Sequence, residues 1–219
     1  MDQEVLKSLE KGVLEETDKS PDEFISTVFL TPKPDGNYRM ILNLKTFNKC
    51  VEYNKFKMDT LQSILKLITP ECYNMATINL RDAYYTVPIA EEHRKYLQFC
   101  WKNKIYQCTC FPNGLLSAPC LFTKFMKPSY TVILGHTVSG YTDDTFVQGS
   151  DFDNAVHTIE ACKELFTKLG FIIHPDKSMN VPSQCTKVLG FLIDSVNMTV
   201  SLTPEKSKRY CFCVKKQLN

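Results

Sequence analysis

Apolar residues recur along the chain in two rhythms, every three or four positions in some segments and every second position in others, with polar turns between them. Val5, Leu6, Leu9 and Val13, set among charged residues, predict a short amphipathic helix ending near Gly12. Ser26 to Lys33 and Tyr38 to Leu44 read as strands. Pro34-Asp35-Gly36-Asn37 between them is a strong turn signal, so the pair predicts a hairpin with Lys33 and Arg39 at its tip. Thr60 to Leu67 has helical spacing, and Asn74 to Leu80 reads as a buried strand ending in Arg81-Asp82. Tyr96 to Trp101 and Lys104 to Cys110 predict a second hairpin through Lys102-Asn103-Lys104.

Ser117 is placed to cap a helix through Phe122, Phe125 and Met126, with Pro119 in its first turn and Pro128 ending or kinking it. Val138 to Tyr141 and Thr145 to Gln148 predict a third hairpin with Asp143 and Asp144 at its tip. Asp153 to Leu169 carries Val156, Ile159, Phe166 and Leu169 at helical spacing, stopped by Gly170. Phe171 to His174 is strand-like, and Pro175-Asp176-Lys177-Ser178 turns. Thr186 to Ile193 and Met198 to Leu202 predict a last hairpin across Asp194 to Asn197. Hairpins interleaved with helices predict an α+β fold, antiparallel sheet backed by helices on one side.

The 219 residues hold 43% hydrophobic and 11% aromatic residues, enough for a packed core, which excludes a disordered tail, a collagen-like repeat and a coiled coil. The net charge of +2 does not by itself point to nucleic acid. Its distribution is uneven. Lys206, Lys208, Arg209, Lys215 and Lys216 near the end face only Glu205, and the first 24 residues are acidic. There are ten cysteines, but Met1 to Gly12 lacks the apolar core of a signal peptide and no C-x-x-C spacing occurs. Most of them are therefore expected to be small core hydrophobes, in a reducing, intracellular compartment, cytoplasm or nucleus, with no membrane partner.

Two adjacent carboxylates at a hairpin tip repel each other unless they are solvated or hold a cation, and hard oxygen ligands of this kind suit Mg²⁺. Tyr141-Thr142-Asp143-Asp144 has that form. Ser26 to Met40 precedes it as a basic hairpin, followed by Asn43-Leu44-Lys45-Thr46-Phe47-Asn48. Next come Thr77-Ile78-Asn79-Leu80-Arg81-Asp82-Ala83-Tyr84-Tyr85-Thr86-Val87-Pro88 and Phe111-Pro112-Asn113-Gly114-Leu115-Leu116-Ser117-Ala118-Pro119. Leu169-Gly170-Phe171 through Lys177-Ser178, and Leu189-Gly190-Phe191, come after the acidic turn. In this order the segments resemble the fingers and palm of a reverse transcriptase, an RNA-directed DNA polymerase. Pro-Asn-Gly-Leu-x-Ser-Ala-Pro and Asn-Leu-Lys are most similar to retrotransposons of the tyrosine-recombinase (DIRS-like) group.

The resemblance implies a right-hand polymerase palm with a fingers subdomain and with the thumb largely absent. It places fingers at 1–72 and 91–118, palm at 73–90 and 119–203 with a primer-grip hairpin, and the start of a connection to a missing thumb at 204–219. It implies transfer of deoxynucleoside triphosphates onto a primer on an RNA or DNA template, with two Mg²⁺ ions activating the hydroxyl and stabilising pyrophosphate. By this likeness Asp143 and Asp144 are catalytic metal ligands. Lys177 donates a proton to pyrophosphate or is a plain turn lysine. Lys33, Arg39, Asp82, Ala83, Tyr84, Asn113 and Gly114 line the nucleotide site, Tyr84 excluding a 2′-hydroxyl or packing in the core. Tyr141, Leu189, Gly190 and Phe191 meet the primer, Phe191 with core as its other reading.

One letter departs from the family. Aligning Asp82-Ala83-Tyr84 with the family motif puts Asn79 at the first catalytic carboxylate, and an amide keeps the shape but loses the charge. Asp82, three residues on, is expected to face the other side of the strand and to be a poor substitute. The expectation is a polymerase domain that is impaired, or a silent remnant that still binds nucleic acid or a partner. An RNA polymerase of the same palm is disfavoured by Tyr84.

Overall fold

In the computed structural model, residues 1–33, 36–52, 55–68, 74–134 and 138–208 are described, without the side chains of 131–134. The elements are α1 (Asp2–Glu10), β1 (Leu14–Thr17), β2 (Ile25–Pro32), β3 (Tyr38–Asn43), α2 (Leu61–Leu67), β4 (Asn74–Arg81), α3 (Glu91–Arg94), β5 (Gln98–Trp101) and β6 (Lys104–Cys108). They continue with α4 (Ala118–Leu134), β7 (Val138–Tyr141), β8 (Asp144–Gly149), α5 (Phe152–Lys168), β9 (Ile172–Ile173), β10 (Cys185–Val188), β11 (Phe191–Asp194) and β12 (Thr199–Leu202). The fold is α+β, as expected. The centre of the 34–37 turn, the basic residues from Arg209 onward, and Cys72, Cys211 and Cys213 lie outside the described residues. Of the described cysteines, Cys108, Cys110, Cys120 and Cys162 are buried, while Cys50, Cys100 and Cys185 are exposed.

Residues 1–56 and 82–122 pack as one unit, and 57–81 with 123–219 as a second. The first unit is built on a five-stranded sheet of order β1-β6-β5-β2-β3. Its core holds Val5, Leu14, Leu42, Leu97, Phe99 and Phe111, and the Phe99 and Tyr106 rings stack at 5.5 Å. Two features differ from the expected antiparallel hairpins. Leu14–Thr17 forms a strand on β6, and β2 pairs with β5 in parallel through Ile25 and Ser26. Leu14-Glu15-Glu16-Thr17 carries too many acids to read as a strand on its own. It forms because β6 offers an open edge, and Lys104 pairs with Glu16 at 2.8 Å.

The second unit holds a four-stranded sheet, β7-β8-β4-β9, and a three-stranded one, β10-β11-β12. β4 is central, which explains why all its residues but Arg81 are buried, polar ones included. α5 packs across β8 and β4 through Ala155, Ile159, Cys162 and Phe166. Gly149 is required there, since a Cβ would run into the backbone of Ala155. Asp151 caps the helix, accepting from the Asn154 amide at 2.8 Å. Thr60 and Ser63 form a reciprocal capping box at the start of α2.

Pro128 neither ends nor breaks α4, which runs on to Leu134. Proline removes one ladder hydrogen bond, but Tyr130 anchors the turn beyond it. Its hydroxyl lies 3.1 Å from Thr145 Oγ1 and its ring meets Phe166 edge-on. The last hairpin also differs: Thr186 to Ile193 is two strands, β10 and β11, reversed at Leu189-Gly190, and β12 adds a third. A leucine at the first turn position hid that reversal.

Phe166 is fully buried among Tyr130, Phe171 and the sheet. Phe166→Ala is expected to lower the stability of this unit by about 3–5 kcal/mol, and loss of the cap in Asp151→Ala by about 1 kcal/mol. Urea unfolding followed by circular dichroism measures both. Equal losses would contradict the packing described.

Candidate active site

The β7–β8 hairpin pairs Tyr141 with Asp144, leaving Thr142-Asp143 as a two-residue turn. Thr142 has φ +52°, a costly conformation for a β-branched residue. Its hydroxyl donates to Asp143 Oδ1 at 2.8 Å, which offsets part of that cost and holds the exposed Asp143 carboxylate. Gly140 lies under this turn because a Cβ would overlap the Tyr130 ring.

β4 runs antiparallel to β8 in the register Asn79 opposite Asp144, and the Leu80 amide donates to the Asp143 carbonyl at 2.7 Å. That register brings together residues 65 positions apart: Asn79 Nδ2 donates to Asp144 Oδ1 at 2.5 Å. Burial pushes the Asp144 carboxyl above the ordinary carboxylate range. The Asn79 bond opposes the shift, the Asp143 charge adds to it, and the Lys177 charge opposes it. Asn79 also holds the turn that carries Lys177. Its amide N–H donates to Ser178 Oγ at 2.9 Å, and its carbonyl accepts from the His174 N–H at 2.8 Å.

Asn79 and Asp144 therefore meet, with Asp143 next to them at the hairpin tip and Lys177 on a turn tied to Asn79. Tyr141 ends β7 and is partly exposed. Leu189, Gly190 and Phe191 form the β10–β11 turn of the same unit. Ser178 and His174 were not singled out from sequence. The Lys-Ser pair ending the predicted turn was the available signal, a hydroxyl able to receive a strand N–H.

The donor set can be compared with what Mg²⁺ needs. Asp143 and Asp144 supply hard, anionic oxygens on one turn, which suits a single ion. The third position presents an amide whose N–H already occupies Asp144 Oδ1. Among the described residues no group of three His, Cys, Asp or Glu is placed to hold a metal. The set fits one divalent ion and does not fit a pair.

The remaining predicted residues lie in the first unit. Lys33 and Arg39 flank the β2–β3 turn, where the Lys33 N–H donates to the Asn37 carbonyl at 2.7 Å. Asp82 corrects the expectation made for it. It is not a strand residue facing away, but sits past the end of β4 in the left-handed region, φ +52°, paired with Lys11 at 2.7 Å. Ala83 is buried, and Tyr84 meets Phe122 edge-on at 5.3 Å. Asn113 Nδ2 donates to the Tyr85 hydroxyl at 3.3 Å, and burial, with the Asp82 charge, pushes that phenol up to about 12. Gly114 has φ +101°, and its carbonyl accepts from Asn48 Nδ2 at 2.9 Å. Lys11, Tyr85 and Asn48 were not chosen as site residues from sequence; each acts through a partner distant in the chain.

The family model described as reverse transcriptase (RNA-dependent DNA polymerase) matches residues 31–193. The Pro-Pol polyprotein of simian foamy virus type 1 is 27% identical over 185 residues, covering 84% of this chain and 16% of that protein. A transposon polyprotein of Schizosaccharomyces pombe is 23% identical over 203 residues, covering 91% of this chain and 15% of its own length. The chain thus spans less than a fifth of these relatives. A solved foamy viral protease-reverse transcriptase in complex with double-stranded DNA is similar with a TM-score of 0.82 at 25% identity, over 95% of this chain and 42% of that one. The same enzyme with an RNA/DNA hybrid gives 0.80 at 25% identity, over 95% of this chain and 27% of that one. No helix among the described residues is long and apolar enough to cross a membrane.

A carboxyl raised in the folded state holds its proton more tightly folded than unfolded. Asp144 therefore contributes stability below its unfolded value of about 4 and loses it as pH rises through its folded value. Asp144→Asn is expected to melt higher than the parent at pH 7 in chelator-treated buffer, with the difference vanishing at low pH. Thermal melts across that range check this, and a difference independent of pH would refute it.

Proposed function

Because the chain belongs to the reverse transcriptase family, we propose that it is the polymerase domain of a retroelement in which templated transfer of deoxynucleotides onto a primer is impaired at Asn79. The single observation carrying the impairment is the Asn79 to Asp144 hydrogen bond at 2.5 Å. A neutral amide stands where the family's first carboxylate belongs, and it takes up a lone pair of one of the two remaining carboxylates. In the family a pair of Mg²⁺ ions activates the primer hydroxyl and carries the leaving pyrophosphate. Here the protein supplies charge for one ion, so metal occupancy is weakened.

We assign the palm role to residues 73–90 and 119–203, with Asp143 and Asp144 as ligands and Lys177 as proton donor to pyrophosphate. The fingers role goes to residues 1–72 and 91–118, with Lys33 and Arg39 as triphosphate contacts, Arg39 suited to a forked phosphate contact. Asp82, Ala83, Tyr84, Asn113 and Gly114 would line the nucleotide site. Tyr141, Leu189, Gly190 and Phe191 would meet the primer. The foamy viral relatives with duplex DNA and RNA/DNA hybrid support a primer-template as the partner. The Pro-Asn-Gly-Leu-x-Ser-Ala-Pro stretch supports descent within the tyrosine-recombinase (DIRS-like) group. The same hydrogen bond favours a second reading, a silent remnant that retains nucleic-acid binding.

Primer extension on an RNA template compares the parent with Asn79→Asp. Losing one positioned electrostatic group costs about 10²–10³ in rate. The aspartate variant is therefore expected to extend about 10²-fold faster or more. Equal and robust synthesis by both chains would sink the impairment. An inactive aspartate variant that still binds duplex would select the silent remnant.

A further inference from the structure

The β10–β11 reversal has only two residues, Leu189 and Gly190, both with positive φ, +50° and +76°. Two positive φ values define a type I′ turn, whose preferred first residue is Asn or Asp. A leucine there is strained and persists only where its surroundings hold it. From within, the Leu189 side chain packs on a core of Ile64, Ile68, Met75, Phe146, Val188 and Ile193.

The other support comes from the segment after β12. The Thr203 N–H donates to the Gly190 carbonyl at 3.2 Å. Lys206 Nζ donates to the Leu189 carbonyl at 3.1 Å, and the same ammonium lies 3.9 Å from the centre of the Phe191 ring. A cation at that distance over an aromatic face is attracted by the ring quadrupole. The lysine stem lies over Gly190, where an added Cβ would stand 2.9 Å from Lys206 Cδ. Lys187 and Glu205, 3.3 Å apart, tie the same segment to β10. One side chain thus touches Leu189, Gly190 and Phe191: a carbonyl, the space over a glycine, and a ring.

We propose that Lys206 is a positioning residue for the primer terminus, acting by clamping the Leu189-Gly190-Phe191 turn rather than by contacting the nucleic acid. This rests on reading that turn as the primer contact. The strained turn has a defined shape only while both of its carbonyls and the Phe191 ring are held. Removing the ammonium releases the Leu189 carbonyl and the ring together, and the primer end loses its fixed seat while the rest of the duplex stays bound.

The test uses the full chain with a primer-template whose primer-terminal base is 2-aminopurine, and a dye at the far template end to report duplex affinity by anisotropy. Lys206→Met keeps the stem and removes the charge, Lys206→Arg keeps the charge, and Phe191→Ala removes the ring. The methionine variant is expected to lose more than half of the terminal-base fluorescence change, with duplex affinity altered by about twofold or less. The arginine variant is expected to restore the signal. Lys206→Gln carries the test should the methionine variant not melt cooperatively. A full terminal signal in Lys206→Met, alongside its loss in Phe191→Ala, would overturn the role of Lys206 and leave the turn as primer contact. An unchanged signal in both would overturn the primer reading and the proposal with it. A fall in affinity matching the loss of signal, with the salt dependence reduced by about one ion, would make Lys206 an ordinary phosphate contact.

Discussion

The pairing of β4 with β8 is the constraint on which the candidate site depends. One register, Asn79 opposite Asp144, brings a residue from the middle of the chain to a turn 65 positions later. A slip of one residue would turn every β4 side chain to the other face. Such a slip is opposed on both faces of the sheet. Met75, Ile78 and Leu80 are buried to within 1%, Phe146 and Val147 answer them from β8, and α5 covers the pair. The chemistry at the hairpin tip is as exact as the hydrophobic packing beneath it, because the same strands supply both.

That coupling also explains how a site can lose charge without losing its fold. Three carboxylates at one point would repel one another in a partly buried setting, and a fold carrying them gives up stability to keep them. An amide at position 79 removes one of those charges and adds a donor that satisfies Asp144. Its backbone bonds to Ser178 and His174 are independent of the side chain, so the Lys177 turn is held whichever residue stands there. The local architecture is therefore indifferent to the substitution, whereas the affinity for a cation is not.

Much of this was legible from the residues. The acidic turn, the buried strand before Arg81-Asp82 and the helix from Asp153 stopped by Gly170 all carry local signals, and local signals survive folding. What was not legible has a common cause. The strand Leu14–Thr17 and the parallel contact of Ile25 with Gln98 exist because a partner edge was available, which no window of sequence records. Asp82 was expected to follow strand alternation, but it leaves the strand in a left-handed conformation stabilised by Lys11, 71 positions away. The reversal at Leu189-Gly190 was hidden because leucine there contradicts turn chemistry.

That contradiction is informative. Local propensity fails where tertiary structure holds a residue against its preference, and such places tend to be functional. Thr142 and Leu189 stand at hairpin tips of this kind in the second unit, each a poor residue for positive φ. Thr142 is held by its own hydroxyl on Asp143, a short-range device that the motif itself contains. Leu189 is held by a core below and a lysine seventeen positions later. The acidic turn could therefore be read from four consecutive residues, whereas the second turn required the structure, although both tips solve the same physical problem of fixing a strained reversal in one shape.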